Sequence, residues 1–140
     1  MDEEAARALV ERARVARLGT LTATGRVELV PITFAFVEER IVTAVDHKPK
    51  TTVNLKRLDN VRANPEVGVL FDHYDDRDWT ALWWVRVRGL AHVLEPEEDP
   101  QLHARLVDAL VDRYAQYRER RPEGPAIVIE PVRWQWWSAR

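Results

Sequence analysis

The residues best suited to chemistry in this chain are cations. The stretch DHKPKTTVNLKRLDN, residues 46–60, sets Lys48, Lys50, Lys56 and Arg57 around Thr51, Thr52 and Asn54. The 140-residue chain carries a net charge of only -2, so this is a local concentration and not overall basicity. Lysines and threonine hydroxyls at the start of a helix suit an anion. The first backbone N–H groups have no partner inside the helix, and the helix dipole adds positive charge there. Phosphate is the fitting ligand. The competing reading is a basic helix face turned to water. Asn54 and Asn60 read as polar helix surface, at most minor contacts.

Other chemistries find little support. There is no cysteine, which removes thiol catalysis, cysteine-bound zinc and iron–sulfur clusters. His47, His73, His92 and His103 are widely separated, so no metal site is expected. Ser138, the single serine, lies next to the C-terminus and makes a serine triad implausible. The acids of DHYDDRD read as a solvated loop. Zinc-protease, nucleophile-elbow and Walker motifs are absent. No catalytic residue can be named. The basic stretch is short and an acidic loop follows it, so nucleic acid is not an expected partner. No run of about 18 apolar residues occurs, so no membrane partner is expected, and the charged N-terminus lacks a signal core. The expected location is cytoplasmic.

The elements that must position the cations read as a single domain, residues 1–140, of mainly β (α+β) class. Residues 2–17 have helical periodicity, with Leu9, Ala13 and Ala16 on one side. Strands follow at LGTLTA, VELVPITFAFV and IVTAV, with a turn at Gly25. The middle one is expected to run unbroken over residues 27–37, with Pro31 at an edge or bulge. A helix over 51–63 carries Lys56 and Arg57. A further strand follows NPEVG. ALWWVRVRGLAHVLE alternates a core parity (Trp83, Val85, Val87, Ala91, Val93) with a polar one (Arg86, Arg88, His92). A helix over about 98–119 stripes Leu102, Leu106, Leu110 and Tyr114, and a last strand begins at AIVIE. Hairpin-length links favour an antiparallel sheet closing into a six-stranded barrel with helices on its rim.

The stretch from HKPK through LKRLDNVRANP, Asp78-Trp79 and WWVRVRG resembles the pyridoxamine 5'-phosphate oxidase-like superfamily. Within it, the closest resemblance is to the flavin/deazaflavin oxidoreductases that use coenzyme F420. The resemblance covers essentially the whole chain. It implies a six-stranded antiparallel split β-barrel of the FMN-binding type, acting as a homodimer. It implies a cofactor ring against Thr20, Leu21, Thr22 and the strand holding Pro31. The phosphate would lie by Lys48, Lys50, Thr51, Lys56 and Arg57. Trp79 would cover the ring or the substrate. The implied reaction is hydride transfer from reduced F420 to a small electron-poor molecule, with the proton coming from solvent or from a group such as Tyr74 or His73. FMN in place of F420 is the first alternative; a non-catalytic flavin- or haem-binding protein is the second. Arg86 and Arg88 suit an interface or an acidic cofactor tail. Trp134, Trp136 and Trp137 suit an interface between subunits.

Overall fold

The computed structural model describes residues 1–45 and 52–140, with the side chains of residues 52–55 left out of the description. Lys48, Lys50 and Thr51 lie outside the described residues, as does the side chain of Asn54. Four helices, a single 3-10 turn and seven strands follow one another along the described chain. No described helix is long and apolar enough to cross a membrane.

Helix α1 (Glu3–Arg12) starts where the Asp2 carboxylate accepts the Ala5 N–H at 2.9 Å, and it buries Ala6 and Val10. It is shorter than the periodicity suggests. Ala13 is already extended, and Ala16 opens strand β1 (Ala16–Leu21). The Arg113 guanidinium donates to the carbonyls of Glu11 and Ala13, satisfying helix-end acceptors without another turn.

The expected strand over 27–37 is two strands, β2 (Val27–Ile32) and β3 (Ala35–Val37). The break comes at Phe34, and its cause lies in a distant residue. The buried Tyr114 hydroxyl accepts the Phe34 N–H at 3.2 Å and lies 3.0 Å from the Arg14 carbonyl, to which it can donate. The same tyrosine divides the expected helix over 98–119 into α3 (Pro100–Arg113) and α4 (Ala115–Glu119). Tyr114 leaves helical geometry at φ -126°, ψ 122° to bring its hydroxyl to the break. The strand count therefore rises from six to seven.

The remaining elements are β4 (Arg40–Ala44), α2 (Thr52–Ala63), β5 (Glu66–His73), β6 (Trp83–Leu94) and β7 (Ala126–Ser138). All pairings are antiparallel, in the order β2-β1-β5-β6-β7-β4-β3. The two edge strands, β2 and β3, are consecutive in sequence and joined only by Thr33 and Phe34. A flat sheet would hold them roughly 29 Å apart at the usual strand spacing. A two-residue link reaches about 11 Å at most. The sheet must therefore curl until its edges meet, which makes a split barrel. Pro31 sits on edge strand β2, paired on one side only.

Inside the curl, Phe34 meets Phe71 edge to face at 4.9 Å, among Leu18, Ile41, Val85 and Ile129. A second cluster packs Leu106 and Leu110 of α3 on Val42 and Val128. Strand β6 alternates as its sequence implies, with Val85, Val87 and Ala91 buried and Arg86, Arg88 and Leu90 exposed. Outside, Val27, Leu29, Leu90 and Val132 are exposed apolar side chains, Leu29 at 74%.

Strand β7 carries a bulge opposite Arg88 and Gly89, where Val132 is the extra residue. A Cβ on Gly89 would lie 2.7 Å from the Glu130 carbonyl oxygen, whereas one on Gly68 would meet nothing within 4 Å. Gly89→Ala is expected to lower the unfolding free energy by about 1–3 kcal/mol in urea titrations. Gly68→Ala should stay within about 0.5 kcal/mol of the parent.

Candidate functional site

Helix α2 lies against β1, and one buried amide fixes it there. Asn60 is 5% exposed. Its Nδ2 donates to Thr20 Oγ1 at 3.1 Å and to Glu28 Oε1 at 2.6 Å. Thr20 and Glu28 are register partners across β1 and β2, so the amide clamps the helix to that strand pair. Asn60 is thus no surface amide, as the sequence reading had it. On the same helix, Lys56 Nζ pairs with Glu28 Oε2 at 3.2 Å. The hydrogen bond from Asn60, and then that from Lys56, hold the Glu28 carboxyl below its usual range.

These residues border a small polar cavity of about 130 Å³, together with Arg57. Arg57 is half-buried, and its Nε has no hydrogen-bond partner among the described residues. Burial lowers the guanidinium pKa, with an interaction with Tyr117 opposing in part. Arginine remains charged through such a shift. Lys56 is paired with Glu28, so among the described residues bordering this cavity Arg57 is the cation left to meet an anion.

Thr20 and Leu29 also border a larger cavity of about 430 Å³ on the outer face of the sheet. Its walls are Leu21, Val27, Leu29 and Leu70. Its floor includes Gly19 and Gly68, which face each other across β1 and β5. A Cβ on Gly68 would meet nothing within 4 Å, so its backbone is open to a flat ligand, whereas the Leu29 side chain already lies over Gly19. Arg17, Arg86 and Arg88 border the groove. Arg17 is paired with Asp72 at 3.0 Å, while the Arg88 guanidinium has no hydrogen bond or ion pair among the described residues. The volume lies within the range of small-molecule sites.

The structure therefore brings Thr20, Lys56 and Arg57 together. Thr22 and Pro31 border neither cavity. The Thr22 hydroxyl instead accepts the Arg26 N–H at 3.0 Å and shapes the turn at Gly25, whose φ is 84°. Trp79, in the 3-10 turn Trp79–Ala81, is 65% exposed and borders neither cavity. Glu28, Leu29 and the glycine floor were not singled out from the sequence. A hint lay in the strand alternation, which puts the charged Glu28 on the same side as Val30 and Ile32. No cluster of metal-ligating side chains occurs among the described residues.

A sequence model of the pyridoxamine 5'-phosphate oxidase family matches residues 2–138, and the chain belongs to that family. The seven-stranded half-barrel with flanking helices is its split-barrel fold. No curated protein matches the sequence. Among solved structures, a conserved hypothetical protein from Mycobacterium tuberculosis superposes with a TM-score of 0.80 at 20% identity, over 100% of this chain and 86% of that one. The haem-storage protein HutZ from Vibrio cholerae gives 0.73 at 14% identity, over 97% and 93%. A FAD-binding protein from Mesorhizobium loti gives 0.70 at 17%, over 97% and 94%. At these identities the likeness is one of fold.

Asn60→Leu keeps the volume of the clamp and removes its hydrogen bonds, leaving the Thr20 hydroxyl buried without its amide partner. At pH 7 it should cost about 1–3 kcal/mol in urea unfolding. Glu28 is lowered in the folded state, so its contribution is present above its unfolded pKa and fades as pH falls through the folded one. The gap between parent and variant should therefore narrow when the titrations are repeated at pH 3.

Proposed function

We propose that the protein is an oxidoreductase that binds coenzyme F420 and uses it on a small electron-poor substrate. The observation that carries the reading is the joining of an apolar, glycine-floored groove to a corner whose arginine, Arg57, has no carboxylate partner among the described residues. A flat redox ring with an anionic tail fits that combination. Bound there, the coenzyme would supply hydride chemistry that the side chains themselves lack. Gly68 leaves room for the ring to approach the backbone. Leu21, Val27 and Leu29 keep water from it, and Arg57 meets the phosphate charge.

Arg88 favours F420 over FMN. It stands on β6, three strands from the β2 edge near Arg57, or roughly 14 Å away at normal strand spacing. Cations that far apart suit a tail bearing carboxylates beyond its phosphate. FMN remains the second reading, because two fold neighbours are FAD-binding proteins. Haem, suggested by the haem-storage neighbour, is less well served. None of His73, His92 and His103 borders the groove, and His47 lies outside the described residues. The exposed apolar side chains of β2, β6 and β7 belong to the same reading, covered by a second copy in a homodimer.

Titration of F420 by its fluorescence should show saturable binding. Gly68→Val should block the groove, and Arg57→Gln should weaken affinity about tenfold or more through a lost charged contact. A yellow protein that binds FMN and ignores F420 would move the reading to a flavoenzyme. Affinity unaltered by both substitutions would remove the groove from the site.

A further inference from the structure

A second cleft, of about 520 Å³, opens beside the groove and shares Leu70 and Arg86 with it. Its character is aromatic. Trp84 and Trp137 are register partners across β6 and β7, and Tyr74 and Trp83 complete the walls. Trp137 is 46% exposed and Tyr74 more so, although a folding chain normally covers side chains of this size. The exposed Trp137 indole offers a face for stacking, as well as area for burial.

Charge gives the cleft a preference. The Arg86 guanidinium is held by the Gln135 side-chain oxygen, at 2.9 Å from Nη2 and 3.2 Å from Nε, and lies 5.2 Å from the Trp84 ring. No carboxylate pairs with it among the described residues. It is a fixed and uncompensated cation at the boundary of the two cavities. Asp72, the acid bordering the cleft, is already paired with Arg17. The His73 imidazole has no hydrogen bond among the described residues, while the Tyr74 hydroxyl donates to Asp76.

We infer that this cleft is the substrate subsite, and that it takes planar conjugated carboxylates. The ring system stacks on the exposed Trp137, with Tyr74 beside it, and the carboxylate meets Arg86. The assignment as a substrate subsite rests on the groove holding the cofactor; the ligand preference of the cleft does not. Both can therefore be tested separately.

The probes are 2-naphthoate and its uncharged isostere 2-naphthamide, titrated into the full-length protein by calorimetry. Naphthoate should bind about tenfold or more tightly than naphthamide, and Arg86→Gln should erase the difference. Trp137→Ala, and independently the exposed Tyr74→Ala, should weaken both probes while leaving F420 affinity unchanged. Equal affinity for the two probes would overturn the inference. So would binding that is lost in Gly68→Val but kept in Trp137→Ala, since the probe would then sit in the groove. A shift from dimer to monomer in Trp137→Ala would also overturn it, by making the cleft an interface between copies. If naphthoate binds as expected and neither F420 nor FMN binds, the cofactor reading fails and the aromatic anion cleft stands.

Discussion

The candidate site depends on one buried amide. Asn60 is on a helix, yet both oxygens it donates to belong to the strand pair β1–β2. A buried amide left without partners would cost more than the hydrogen bonds add, so the clamp fixes helix against sheet. Lys56 and Arg57 lie within one turn of Asn60, and their positions follow from it. The same amide helps hold Glu28 ionised, and Glu28 in turn occupies Lys56. Helix position, strand register and the balance of charge in the corner are thus set together.

A second polar group has a comparable role for the barrel. The Tyr114 hydroxyl meets the backbone at Phe34 and Arg14, tying the α3–α4 junction to the point where β2 gives way to β3. That point is also where the curled sheet brings its edges together. Strand β6 then presents valines to the enclosed core and arginines outward. The groove and the aromatic cleft lie on that outward face, so the folding core and the binding surfaces use opposite parities of the same strand.

Much of this was legible in the sequence because it depends on local periodicity. The alternation of β6 and the helix carrying Lys56 and Arg57 follow from spacing alone. The breaks at Phe34 and Tyr114 do not. Each segment has a pattern consistent with continuing, and only a contact between residues 80 apart stops both. The burial of Asn60 is hidden for a similar reason. An asparagine late in a helix looks like surface until the register across β1 and β2 puts Thr20 and Glu28 beneath it. The glycine floor is likewise a product of pairing, since Gly19 and Gly68 are far apart in sequence and opposite each other in the sheet.

Charge shows most clearly what sequence leaves undecided. Counting cations gives Lys56 and Arg57 equal standing, and Arg17, Arg86 and Arg88 no order at all. Folding gives Lys56 a carboxylate and Arg17 another, at 3.2 and 3.0 Å. Exposed pairs such as these add little stability, but they reduce the field that a ligand meets. Arg57, Arg86 and Arg88 keep their charge uncompensated by any carboxylate among the described residues. Arg57 is also partly withdrawn from water, where a Coulombic contact is screened least. An anion approaching this surface would therefore meet the cations that the fold leaves without a carboxylate among the described residues. Those cations lie at the polar corner, along the groove and at the aromatic cleft.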